Sequence, residues 1–178
     1  PHWPMQVPED YMHRYDGVYD TGYEDLLKLR VQRADEIGVL PSGYSMQNYT
    51  RSGQPWASLS AEDQRLEARK MELYAAMVEN FDYHVGRLVR YLRESGQYEN
   101  TLIIFSSDNG ADISVRQVGE HIDNSLENLG RASSYVSIGA WGDVHSAPFR
   151  WNKGSQAEGG IRAPAFIHHP SLRNKGGV

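Results

Sequence analysis

The chain has 178 residues, with 18 basic and 23 acidic side chains and a formal net charge of −5. That size suits one domain around a single core, and the mild acidity excludes a non-specific nucleic-acid binder, whose footprint must be basic to displace counterions. Zero cysteines exclude disulfides, thiolate metal sites and a cysteine nucleophile within these residues, while no apolar run approaches the roughly 20 residues that span a bilayer, so a soluble chain without a membrane partner is expected.

In chain order, Pro1-His-Trp-Pro4 is a stiff stretch that could hold the imidazole of His2 for proton transfer. It carries no initiator methionine and reads as the interior of a longer protein; as a true terminus it would fray. Residues 8–15, PEDYMHRY, open with proline and two acids and predict a short helix ending at Asp16-Gly17. A second helix is expected over 23–37, with inward positions at Leu26, Leu29 or Arg30, Arg33 and Ile37 and a stop at Gly38. Residues 41–58 are rich in Ser, Gly, Pro, Tyr and Asn, have no period, and predict an ordered surface loop.

One long helix accounts for residues 60–96. Ser60 with Asp63 forms a variant capping box, and Leu66, Leu73, Met77, Phe81, Val85, Leu88 and Leu92 make an apolar stripe that Gly96 terminates. Two unalternating apolar runs follow, TLIIFSS (101–107) and APAFIHH (163–169). They predict strands buried on both faces, as in parallel sheets, hence an α/β architecture with helices covering a mostly parallel or mixed sheet. The polar, glycine-rich residues 110–160 between them form a loop long enough to suggest a functional surface.

Ligands of open α/β sheets bind beyond the carboxyl ends of the strands, where Asp108 and Asn109 fall. A carboxylate beside a carboxamide offers hard oxygens suited to Ca²⁺ or Mg²⁺; from local sequence alone a strand-ending turn is the stronger explanation of Asp-Asn-Gly. Lys153 precedes a glycine-rich bend and can neutralise an anionic ester, or simply sit on a solvated loop. Gly159-Gly160 would let backbone approach closely. His168 and His169 point to opposite faces of a strand and are read as structural. His121 and Asp123 have a metal-like alternation, and His84 and His145 lack ligand-spaced partners.

Taken together, PHWP, YDTGYEDL, MELYAAMVENFDYHVGRLVRYL, TLIIFSSDNGAD, DNSLENLGRASSY and SAPFRWNKGSQAEGGIRAP resemble the type I sulfatases, particularly the bacterial arylsulfatase branch of the alkaline phosphatase-like superfamily. The resemblance runs over nearly the whole chain and keeps the family's order. It implies an alkaline phosphatase-like fold, present in part over residues 1–178, and a sulfuric ester hydrolase that acts on a small-molecule sulfate ester. It also implies that Asp108 and Asn109 are two ligands of a single active-site Ca²⁺, that Lys153 contacts the sulfate oxygens, and that His2 hydrogen-bonds the leaving-group side.

The family's nucleophile is a Cys or Ser in C/S-x-P-x-R, oxidised to formylglycine. Its place would lie upstream of Pro1, so this chain corresponds to the later half of the catalytic domain without the C-terminal subdomain, and alone it should be inactive with its long helix partly bare. SAPFR (146–150) fits S-x-P-x-R literally, but it runs straight into the Lys153 loop, where Ser146 is expected to help position that lysine. A phosphonate or phosphodiester hydrolase of the same superfamily is the alternative enzyme, and a non-catalytic binding module derived from such an enzyme is the alternative outside catalysis. Substrate identity, compartment and oligomeric state stay open.

Overall fold

The computed structural model describes residues 1–41, 44, 53–114 and 121–172. Its longest element is α2, Ala61–Glu94, opened as expected by Ser60, whose Oγ accepts the Asp63 backbone N–H at 3.1 Å. Glu62 and Asp63 occupy the first turn and Arg93 the last, complementing the helix dipole. Gly96, at φ 71°, turns the chain out of the helix.

The preceding helix α1, Tyr23–Glu36, has the predicted extent but a different inward face. It buries Tyr23 and Leu27, whereas Leu29 is 60% exposed and Ile37 57% exposed. The reason is aromatic. The Tyr23 ring meets Trp56 edge-on at 4.9 Å and Trp141 at 4.7 Å, and this contact at the first helical residue sets the phase, carrying Leu27 inward one turn later. The short helix expected at 8–15 contracts to a 3-10 turn, Glu9–Tyr11. The chain then stays in turns, and the Gly17 N–H donates to Glu72 of α2 at 2.8 Å.

The core centres on α3, Trp141–Ser146. Trp141 is 0% exposed, as is Leu73 of α2, and its indole N–H donates to the Glu67 carbonyl at 2.9 Å, so its one polar atom is satisfied inside. Tyr19, Tyr23 and Trp56 surround it, with Met71, Leu129, Ile138 and Val144 completing the cluster. Trp56 belongs to the stretch expected to be a surface loop, which therefore contributes a core wedge from a 3-10 turn, Trp56–Ser58; apart from Pro41, Tyr44 and 53–58, that stretch lies outside the described residues.

Both strands form where expected, as β1, Ile103–Ser106, and β2, Ala165–His168. Their pairing is antiparallel, from Ile103↔His168 to Ser106↔Ala165, and among the described residues they make a two-stranded sheet. The parallel neighbours and two-sided burial inferred from the apolar runs are absent from these residues: Ile104, Phe166 and Ile167 are exposed. An apolar run records a capacity for burial on both faces, and pairing direction is set by how the connection returns. Phe105 stacks on Phe166 at 5.1 Å and approaches Phe81 of α2 at 6.1 Å, which joins sheet to helix and preserves the α/β class. Among the described residues no helix is long and apolar enough to cross a membrane.

Candidate active site

The stretch that carries His2 is strapped to the polar connector 123–136. Met5 N–H donates to the Val136 carbonyl at 3.1 Å, Val7 N–H to the Gly130 carbonyl at 3.0 Å, and the Gln6 amide to the carbonyls of Ala132 and Ser134. The connector holds its own shape. Asp123 caps the Ser125 N–H at 2.9 Å, Asn124 accepts from Tyr135 N–H at 2.8 Å, and Ser134 accepts from Gly130 N–H at 3.1 Å. These side-chain-to-backbone bonds explain why DNSLENLGRASSY is polar yet ordered. His2 itself is exposed, with its ring 4.6 Å from that of Trp3.

Asp108 and Asn109 follow β1 directly. Ser107 N–H continues the pairing to the Pro164 carbonyl at 3.1 Å, and Gly110 N–H reaches the Gly160 carbonyl at 3.0 Å. Here the glycines are required by close approach. A Cβ on Gly110 would lie 1.7 Å from the Gly159 carbonyl oxygen, and one on Gly159 would lie 1.9 Å from that of Trp151, so the loop after β1 and the short helix α4, Glu158–Ile161, pack backbone against backbone.

The Lys153 loop is fixed by the same contacts. Lys153 N–H donates to the Ala111 carbonyl at 2.9 Å, and Asn152 Nδ2 donates to the buried Asp143 at 3.2 Å. Ser146 is buried, with its hydroxyl 3.4 Å from the Gly159 carbonyl of α4. Trp151, two residues before Lys153, sits at φ 65°, a left-handed conformation that costs a bulky residue about 1–2 kcal/mol.

Asp112 is the residue that sequence reasoning passed over. Its Oδ2 accepts the Trp3 indole N–H at 2.9 Å and lies 3.5 Å from Lys153 Nζ, while its Oδ1 accepts Ser114 N–H at 2.7 Å. Partial burial pushes this carboxyl up, but the bonds from Ser114 and Trp3 and the positive charge of Lys153 outweigh it and hold the group at about 2. It is therefore an anion at neutral pH. The fifth letter of DNGAD was visible, yet its partners are far away along the chain.

His2, Trp3, Asp108, Asn109, Asp112 and Lys153 all border one cleft of about 1350 Å³, whose other walls include Tyr74, Phe81, Phe105 and Phe149. Asp108 is exposed and Asn109 half-buried. The Asn109 amide nitrogen donates to the Gly110 carbonyl at 2.8 Å, an arrangement that leaves the amide oxygen as its acceptor for a cation. Two adjacent hard oxygen donors fit part of the roughly six to eight that Ca²⁺ takes, with about four to six more needed from elsewhere. Among the described residues no group of three or more His, Cys, Asp and Glu could hold a metal ion.

The remaining histidines separate cleanly. His168 pairs with the Tyr98 hydroxyl at 2.7 Å and His169 with that of Ser171 at 2.7 Å, in keeping with structural roles. His121 is exposed, its neighbour Asp123 is engaged as a cap, and His84 sits beside Arg87 on α2. His145 borders the cleft with its ring 4.4 Å from Tyr74; burial, with the positive charge of Arg30, pushes its imidazole down to about 3.

The family model Sulfatase matches residues 1–175, and the chain belongs to the sulfatase family. It is 40% identical over 97% of its length to an uncharacterized sulfatase of Schizosaccharomyces pombe, and 32% identical over 100% of its length to an arylsulfatase of Klebsiella aerogenes. It spans 33% of the first of these proteins and 40% of the second. A shorter match, 41% identical over 31% of the chain and 10% of the relative, is to a multifunctional alkaline phosphatase superfamily protein of Trinickia caryophylli.

Proposed function

We propose that these residues form part of the catalytic domain of a sulfuric ester hydrolase acting on small-molecule sulfate esters, and that they carry the oxyanion-gripping side of its site. The observation that supports this reading is that His2, Asp108, Asn109 and Lys153, drawn from three separate stretches of sequence, border one cleft. In a family member that hydrolyses sulfate esters, charge accumulates on the sulfuryl oxygens and on the departing alkoxide or phenoxide. The Lys153 ammonium is a compact charge suited to the first, and the exposed His2 imidazole can deliver a proton to the second. Asp108 and Asn109 would hold a Ca²⁺ through their oxygens; when bound, that ion neutralises charge on the same ester oxygens.

Residues outside these 178 would supply the further metal ligands and the nucleophile, a hydrated formylglycine. Further chain of the same domain would also cover the bare faces of the β1–β2 pair, where Ile104, Phe166 and Ile167 are exposed. The 178 residues alone are then inactive. A phosphonate or phosphodiester hydrolase of the same superfamily is the second reading, which the match to a multifunctional alkaline phosphatase superfamily protein keeps in view.

The test is a panel of aryl sulfates and aryl phosphates given to the full-length protein, with Ca²⁺ binding followed by calorimetry. Asp108→Ala and Asn109→Ala are expected to weaken calcium binding, and Lys153→Ala to lower turnover by about 10²–10³-fold, the usual loss for one contact to transition-state charge. Unaltered calcium affinity in both metal-site variants, or hydrolysis of phosphates alone, overturns the reading.

A further inference from the structure

Two of the segments that the proposed site needs arrive from opposite ends of the sequence, and one carboxylate oxygen meets both. Asp112 Oδ2 accepts the Trp3 indole N–H at 2.9 Å and stands 3.5 Å from Lys153 Nζ. Its other oxygen is occupied by the Ser114 N–H at 2.7 Å, so the carboxylate cannot rotate without breaking a bond to its own backbone. The lysine is tethered a second time, through its N–H to the Ala111 carbonyl at 2.9 Å, the residue just before Asp112. An ammonium on a four-carbon stem has many rotamers; an anion fixed beside it on a loop that cannot move away selects among them. The Asp112 side chain is 17% exposed and that of Lys153 33% exposed, which leaves the ammonium partly open to the cleft.

We infer that Asp112 is a positioning residue: its Oδ2 holds the Lys153 ammonium at the cleft and ties it to Trp3, so that the segments of Lys153 and His2 keep one mutual geometry. The inference rests on the sulfatase reading for its catalytic consequence, and on the hydrogen-bond geometry alone for the positioning. The effect of Asp112 passes through Lys153 and through Trp3, the neighbour of His2. The ring of Trp3, edge-on to Tyr135 at 5.3 Å, links the same carboxylate to the connector that straps residues 5–7.

The experiment compares Asp112→Asn, Asp112→Glu, Lys153→Met and the double variant Asp112→Asn/Lys153→Met in the full-length protein. Asp112→Asn is expected to lower kcat/KM by about 10²-fold, a loss typical of ångström-scale misplacement, with the calcium affinity unchanged. Asp112→Glu should recover part of the rate. The double variant should fall well short of additive, because the part of the effect that passes through Lys153 is gone once that lysine is gone and only the part that passes through Trp3 remains. An additive double variant, or Asp112→Asn within twofold of the unmodified protein while Lys153→Met is crippled, overturns the inference and leaves the sulfatase reading standing.

Two readouts do not depend on activity. Acylation of the Lys153 amine by a succinimidyl ester, followed by peptide mass mapping, should be faster in Asp112→Asn by about two- to fivefold, the range a part-exposed ion pair commands. The Trp3 indole N–H resonance should shift in the same variant. If the protein hydrolyses no sulfate ester, the sulfatase reading fails and these two readouts still decide the positioning; unchanged acylation and an unmoved indole resonance refute it.

Discussion

The two halves of α2 carry the same apolar stripe into different surroundings. Toward its N-terminus, Leu73 is 0% exposed, packed in the cluster around Trp141. Toward its C-terminus, Phe81 is 47% exposed where it approaches Phe105 of the two-stranded sheet, and Leu88 is 58% exposed. The stripe is continuous in sequence, so periodicity states which side chains share a face; it does not state whether anything lies against that face. The expected bareness of the long helix is therefore confined to one half, and the closed half holds the core that supports the cleft.

The comparison can be broken most forcefully at the closed end. Trp141→Ala removes the centre of the aromatic cluster and should cost about 3–5 kcal/mol in denaturant unfolding; a loss below about 1 kcal/mol would mean that the cluster does not organise the fold. A sharper test applies one chemical change to both ends. Leu73→Ala should cost about 2–5 kcal/mol and Leu88→Ala less than about 0.5 kcal/mol, and equal costs would remove the distinction between the halves.

A subtler effect concerns His145, which packs on Tyr74 of α2 at the cleft wall. Its imidazole is depressed from 6.5 to about 3 by burial and by Arg30, so below 6.5 the unfolded chain binds a proton that the folded chain refuses. The contribution is intact above pH 6.5 and lost as pH falls from there towards 3. Thermal midpoints measured between pH 7 and pH 5 should fall, and His145→Phe should flatten that slope. An unchanged slope would show that the ring is not shielded.

Local signals were legible where one residue or one short pattern decides the outcome. Ser60 as a cap, Gly96 as a stop and the positions of β1 and β2 follow from side-chain chemistry within a few residues, and the structure agrees. The inward face of α1 departs from the expectation at Leu29 and Ile37, which satisfy a helical period with the half-buried Leu26, whereas the contact of Tyr23 with Trp56 and Trp141 chooses the phase. Trp56 falls in a stretch whose composition predicts a surface loop for the same reason: its partners, Tyr23 and Trp141, are remote. At the site, the glycines after Lys153 announced close approach, and Gly159 and Gly160 indeed lie against the loop after β1. Asp112 carries no such local mark, because its Trp3 and Lys153 partners are remote in sequence.

By itself the sequence determined helix ends, strand positions, the residue types able to bind an oxyanion or a hard cation, and membership of the sulfatase family, because each depends on neighbours in the chain or on motifs kept in order. Only the tertiary structure decided which half of α2 is covered, that β1 and β2 run antiparallel, and that Trp3 and Lys153 meet on one oxygen of Asp112. Those outcomes depend on which distant surfaces come together, and burial, pairing direction and charge contact are properties of that meeting rather than of either segment alone.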